Sequence, residues 1–214
     1  MGAGLGPGDE VKSESMSDLV DWTAPERNKD PILEVLRRVL PVQGTVLEVA
    51  SATGQHIAYF ADQLRGLVWQ PSDFSDEHLR NLVARRAHAQ LANLLAPMRL
   101  DVTELPWPVS QVDAIYSANM IHISPWAVTL GLFAGAQAVL ASGAPLVTYG
   151  PYAVDGRHIS ESNLAFDESL RSRNPAWGVR DVAEVVQVAR EHGFSLEERV
   201  AMPANNFTLI WRRH

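Results

Sequence analysis

Apolar positions along this chain change period several times, and the changes divide it into elements. In PILEVLRRVL (31–40) Ile32, Leu33, Val35, Leu36, Val39 and Leu40 share a broad helical face, and Pro41 and Gly44 end the pattern. TVLEVA (45–50) is then a short apolar strand, HIAYFADQL (56–64) a helix, LVWQ (67–70) a strand, SDEHLRNLVARRAHA (75–89) a helix and APMRLDV (96–102) a strand. Ser75 reads as the N-cap of its helix, with Asp76 and Glu77 in the first turn where the helix dipole favours negative charge.

The alternation continues with a strand at 112–120, a helix at 124–140 starting from Ser124 and Pro125, and a strand at 144–150. Strand and helix in turn predict parallel pairing through right-handed crossovers, with helices on both faces of the sheet. The last third breaks the rule. A loop from Pro151 to Trp177 precedes a helix at 179–193, and two strands, 194–202 and 206–213, then follow each other across Pro203, Ala204 and Asn205. The prediction is a doubly wound, mostly parallel seven-stranded α/β sheet closed by an antiparallel C-terminal hairpin, a Rossmann-like architecture. Residues 1–22 lack both a basic start and an apolar core, so they read as a mobile leader able to fold over the domain, with residues 23–214 as one domain.

Composition narrows the function without naming it. A net charge of −7, with Lys12 and Lys29 the only lysines, supplies no basic stripe for phosphates, so nucleic acid is not an expected partner. The absence of cysteine removes disulfides, thiolate metal sites and a cysteine nucleophile, and suits a cytoplasmic location. The most apolar stretch, 126–141, is interrupted by Thr129, Gly131, Gly135 and Gln137 and is shorter than the ~20 residues a membrane span needs, so no membrane is expected.

Open α/β sheets bind ligands outside the carboxyl ends of their strands. There the predicted strands deliver Glu48 with the turn 51–54, then Asp73, Asp101 and Asn119. Asp73 follows Glu48 at roughly the interval at which an acid meets a ribose diol in nucleotide-binding units, and an acid there disfavours the 2′-phosphate of NADP. Any one of these acids could simply cap a helix or face solvent. Their joint placement points to a nucleoside site.

The motifs VLEVASATGQH, WQPSD, LDVTELPWP and SANMIHISPW resemble the successive motifs of class I S-adenosylmethionine-dependent methyltransferases. The likeness is greatest to a short domain-of-unknown-function subfamily that includes a vertebrate methyltransferase-like protein. It extends from about Ala24 to the C-terminus through APERNKDPILEVL, TYGPY, DGRH, SNLAFD, WGVRD and MPANNFTL. The resemblance implies S-adenosyl-L-methionine as cofactor and methyl transfer to O or N of a small molecule. Glu48, Ala50, Ser51, Thr53 and Gly54 would border the methionine arm, Asp73 the ribose, Asp101 and Val102 the adenine, and Asn119 and Met120 the floor beneath the sulfonium. Arg27 and Asn28 would close over the carboxylate. Where the superclass has glycines, this chain has Ala50 and Ala52, substitutions that are mild if the turn keeps ordinary backbone angles.

A sulfonium methyl is already activated, so the protein need only align a nucleophile and exclude water. His122 and His158 are the candidate bases if the acceptor arrives protonated, against the bland alternative of hydrogen-bonded structural histidines. Tyr152 is expected to face the pocket after the fifth strand, within an aromatic group of Trp126, Tyr149, Phe166 and Trp177. With Asn119 it could instead curl the cofactor's own amino-acid arm for cyclisation to azetidine-2-carboxylate and methylthioadenosine. No histidine has metal-ligand spacing, and no G-x-S-x-G elbow occurs. A non-catalytic nucleoside-binding module is the alternative of another class.

Overall fold

The computed structural model describes residues 19–214; most of the expected leader lies outside them. Its elements are α1 (Thr23–Val39), β1 (Gly44–Val49), α2 (Gln55–Gln63), β2 (Leu67–Asp73), α3 (Asp76–Ala89), β3 (Met98–Arg99), β4 (Ala114–Ala118), α4 (Trp126–Val139), β5 (Pro145–Gly150), α5 (Glu161–Arg173), α6 (Val182–Glu191), β6 (Phe194–Met202) and β7 (Asn206–Arg213). The seven strands lie in the order β3-β2-β1-β4-β5-β7-β6. All pairs are parallel except those of β7, which runs antiparallel to both β5 and β6. The chain winds outward from β1 to β3, then returns to pair β4 against the other side of β1. That reversal puts a topological switch point at the carboxyl ends of β1 and β4, the place where open α/β sheets bind ligands.

Side chains alternate across the sheet and feed two cores. Leu47, Ile115, Leu146, Leu209 and Trp211 face α4 and α6, where they pack with Leu132, Phe133, Val185 and Phe194. Their neighbours Val46, Ala114, Tyr116, Val147 and Ile210 face the other way, onto Ile32, Leu36, Ile57 and Phe60 of α1 and α2. Small residues let α4 approach closely. A Cβ on Gly131 would lie 2.4 Å from the Val102 carbonyl oxygen, and one on Gly135 would lie 1.9 Å from the Trp107 ring.

Three elements differ from their sequence reading. α1 begins eight residues before Pro31, in a stretch whose mostly exposed or half-exposed side chains carry no apolar period, and it holds Pro31 in its interior. β3 pairs only at Met98 and Arg99. Pro97 has no N–H to give, and Asp101 folds the chain into a tight turn by accepting from the backbone N–H and hydroxyl of Thr103 at 2.9 and 2.7 Å. The expected loop 151–177 contains α5, capped by Ser160, whose Oγ accepts from the Asn163 N–H. Its buried residues are Asn163, Asp167 and Leu170, two of them polar, so no hydrophobic period betrays it.

Candidate functional site

β1 carries Glu48, 2% exposed, one residue before its last, Val49, and passes into the turn that starts α2. Ala50 (φ 60°), Ala52 (φ 50°) and Gly54 (φ 72°) all adopt left-handed backbone. The two alanines therefore do not keep ordinary angles, and each carries a steric cost of about 1–2 kcal/mol that glycine would avoid. Hydrogen bonds hold the turn in this shape. Ser51 N–H donates to the Ser72 carbonyl at 2.9 Å, Gly54 N–H to the Ser51 carbonyl at 2.8 Å, and Ala52 N–H to Asp73 Oδ2 at 3.0 Å. Ser72 Oγ donates to the Glu48 carbonyl at 2.7 Å, stitching the ends of β1 and β2 together.

Asp73, 2% exposed, is thus built into the turn. Its Oδ1 accepts from Ser75 N–H at 3.0 Å and from His78 Nδ1 at 3.1 Å. Beside it Glu48 leaves Oε2 buried and without a partner. Burial pushes the Glu48 carboxyl up to about 8, an upward shift to which the charge of Asp73 adds and against which a hydrogen bond with Ser51 works. Two buried acids, one with an unanswered oxygen, suit a ligand that brings positive charge and hydroxyl donors.

The remaining residues singled out in the sequence fall at several depths. Asn119 follows β4 at φ 60° and donates its N–H to the Tyr149 carbonyl at 2.7 Å, fixing the floor between β4 and β5. Met120 and Val102 are core residues, 8% and 4% exposed. Asp101 is half-buried in its own turn. Asn28 reaches from α1 to His56, Oδ1 to Nε2 at 2.7 Å, while Arg27 is exposed. Thr53 Oγ1 donates to Gln55 Oε1 at 2.9 Å.

Tyr152, expected at the pocket mouth, instead turns into the core, fully buried, with its hydroxyl donating to Thr148 Oγ1 at 2.8 Å. His122 is fully buried too, with its ring edge against Tyr152. A Cβ on Gly150 would lie 2.4 Å from His122 Nε2. Burial, aided by the Arg180 charge, pushes this imidazole down to about 3, so it is neutral at ordinary pH. Its Nδ1 accepts the Arg180 N–H at 3.2 Å, which leaves the hydrogen on Nε2. In this arrangement His122 accepts at Nδ1 and its buried Nε2 has no hydrogen-bond partner, so the ring is not placed as a base. His158 lies 3.5 Å from Asp167 Oδ2, in a cluster where Asp167 also accepts from Val179 N–H and Arg171 Nε. The indoles of Trp126 and Trp177 are covered by Arg180 and Arg173, so these faces already hold cations. Among the described residues, no group of three His, Cys, Asp or Glu side chains is arranged to hold a metal, and no helix is long and apolar enough to cross a membrane.

Sequence patterns gave no sign of Gln55, Arg85, His78 or Trp22, which surround the turn. Trp22, Gln55 and Arg85 act through contacts distant in sequence, and His78 reaches back five positions to Asp73 across a strand-to-helix turn, so no local periodicity marks them.

A family model described as protein of unknown function (DUF938) matches residues 21–213. Among solved structures, the chain is similar to CalO1, a methyltransferase in calicheamicin biosynthesis, in its SAH-bound form. That match has a TM-score of 0.70 and 15% identity over 87% of this chain and 54% of that one. An O-methyltransferase family protein from Burkholderia thailandensis matches at TM-score 0.71 with 14% identity over 86% and 56% of the two chains. The S-adenosylmethionine-dependent methyltransferase SibL, in its apo form, matches at 0.73 with 18% identity over 89% and 55%. The chain spans about half the length of these three proteins and shares their fold.

Proposed function

This chain belongs to the family described as protein of unknown function (DUF938), and from its site we propose that it is an S-adenosylmethionine-dependent methyltransferase acting at O or N of a small molecule. One observation carries the reading. Beside the point where strand order reverses, Asp73 at the end of β2 binds the turn after β1 through Ala52 N–H and holds His78 by its other oxygen. His78 is partly exposed, with 28% of its side chain accessible, and is the partner that a ribose hydroxyl pair would displace. The solved methyltransferases that share the fold support the same cofactor.

When bound, that cofactor supplies a methyl group already activated on sulfur. Glu48 and the 50–54 turn would receive the amino-acid arm, Asp73 the ribose, the Asp101 turn the adenine, and Asn119 the space beneath the sulfonium, with Arg27 and Asn28 above. A sulfonium carries no pyrophosphate, so the turn has no need of the spaced glycines that let one approach. Because the basic nitrogen of His122 is engaged by Arg180, the reading uses no histidine base there, and the acceptor supplies its own nucleophile. The cyclising alternative drew on the Tyr152 hydroxyl, which is engaged inside the core. A strained turn so fully hydrogen-bonded favours a maintained site over a decayed module.

Incubation with S-adenosylmethionine alone, followed by mass spectrometry of the nucleosides, tests the reading. Adenosylhomocysteine is expected only when an extract supplies an acceptor. Methylthioadenosine without acceptor, or no cofactor binding by calorimetry, overturns it.

A further inference from the structure

Attachments at Ala52, Thr53 and Gln55 fix the turn after β1, and two of them lead to the segment before α1. Ala52 is tied to Asp73. The Thr53 carbonyl accepts from Arg85 Nε at 3.1 Å, and Nη2 of the same guanidinium donates to the Val20 carbonyl at 2.8 Å and to Asp21 Oδ1 at 2.6 Å. Gln55 grips the backbone of Trp22 at both ends, accepting its N–H at 2.7 Å and donating to its carbonyl at 3.1 Å, and donates to Glu26 Oε1 at 3.0 Å. The Arg85 stem also packs under the turn, since a Cβ on Gly54 would lie 3.1 Å from Arg85 Cγ. Trp22 then meets the edge of His78, the residue that holds Asp73.

Arg85 is 9% exposed, on the inner side of α3, far in sequence from everything it binds. A backbone with left-handed alanines at two positions persists only where its surroundings over-determine it. We propose, on the cofactor reading above, that Arg85 is a positioning residue that holds the 50–54 turn in its ligand-ready shape by tying it to residues 20–22, so that the segment before α1 and the turn order together. Asp21 sets the tie from outside. It is the exposed end of the ion pair, with 59% of its side chain accessible, whereas Arg85 is nearly enclosed. Removing the Asp21 charge loosens the guanidinium, which keeps its Thr53 and Val20 carbonyls, without opening the core.

If turn and segment form one unit, the ligand binds only the fraction of molecules in which both are in place, and loosening the tie raises the apparent Kd by the inverse of that fraction. Three variants test this: Asp21→Asn, Asp21→Glu and Arg85→Lys. Asp21→Asn keeps the melting temperature within about 2 °C, because exposed pairs contribute little to global stability. It nonetheless speeds exchange of the Ala52 and Gly54 amides and weakens S-adenosylmethionine about threefold by calorimetry. Asp21→Glu restores both. Arg85→Lys keeps the charge but loses the fork that reaches Thr53 and Val20 together, and weakens binding about tenfold. Amide exchange at Ala52 and Gly54 unchanged from wild type in both Asp21→Asn and Arg85→Lys overturns the tie. So does unchanged affinity in those variants while the wild type binds. Wild-type protein that fails to bind the cofactor sinks the functional reading instead, and the exchange measurement, made without ligand, still decides the tie.

Discussion

His78 Nδ1 donates to Asp73 Oδ1 at 3.1 Å while Ala52 N–H occupies Oδ2, so the acid at the end of β2 joins a helix to the turn after β1. A carboxylate has roughly four lone-pair positions, and Ser75 takes a third. On the proposed reading a ribose pair would compete with His78. Asp73→Ala is expected to weaken S-adenosylmethionine binding by more than about tenfold, since charge-assisted hydrogen bonds contribute roughly 1.5–3 kcal/mol. His78→Ala is expected to leave affinity within about threefold or to improve it. Calorimetry on both variants checks this, and a large loss on removing His78 would show that the imidazole serves the ligand directly.

The left-handed alanines give a second expectation, one that needs no ligand. Ala50→Gly and Ala52→Gly each remove a strain of about 1–2 kcal/mol while adding about 0.5–1 kcal/mol of unfolded-state freedom. The net gain of roughly 0.5–1 kcal/mol predicts a melting temperature higher by about 1–4 °C. A lower melting temperature in both variants would mean that the alanine methyl groups contribute packing that outweighs their backbone cost.

Acid stability is expected to fall early. Burial pushes His122 down to about 3 and His56 down to about 4, both from 6.5. A depressed folded pKa leaves stability intact above about 6.5 and removes it as pH falls toward the folded value, at about 1.36 kcal/mol per unit for each ring. Urea titrations from pH 7 to 4 should show this limb, and His56→Gln should flatten it. A His56→Gln slope equal to that of the wild type would refute the assignment.

Glu48 acts with the opposite sign. Its carboxyl is pushed up to about 8 by burial, so the stability it contributes is complete below its unfolded value of about 4.5 and is lost as pH rises through about 8. Glu48→Gln should flatten the fall in stability between pH 5 and 9, by roughly 3–5 kcal/mol in all. A cationic amino-acid arm beside Glu48 favours its charged form, so cofactor binding near pH 7 should release close to one proton. Calorimetry in buffers of different ionisation enthalpy counts it, and a count near zero would place the arm elsewhere.

Gly150 offers a test on the β5 side. Its missing side chain makes room for His122, and an added methyl would press within 2.4 Å of Nε2. Gly150→Ala should cost about 1–3 kcal/mol as an overpacked core position, readable as a shift of the urea midpoint. An unchanged midpoint would show that the ring is free to move aside.

The sheet was legible because its central strands are apolar runs bounded by turns: Val46 to Val49, Ile115 and Tyr116, Leu146 to Tyr149. Ser75 capped α3 as its position suggested. α5 was not legible, because its burial rests on Asn163 and Asp167, whose partners are a distant carbonyl and a distant N–H. In the site, sequence order placed Glu48, Asp73 and Asn119 at strand ends, where they lie. It could not tell which way a residue turns once a strand has ended. Tyr152 and His122 turn inward, toward Thr148 and Arg180. Arg85 and Gln55 lay outside the reading altogether, since the bonds that tie them to Thr53, Val20 and Trp22 span more than thirty positions.

β7 lies later in the sequence than every other strand, yet it sits between β5 and β6 and pairs with both along nearly its whole length. β6 therefore joins the sheet only through β7. Trp211, fully buried and donating to Thr148 Oγ1 at 3.0 Å, arrives with β7 and meets there the oxygen that also receives Tyr152. The Tyr152 ring that packs against His122 thus shares its hydroxyl partner with a residue of the last strand. The β5 side of the site therefore rests on the last strand of the chain, whereas β1 and β2 pair without it.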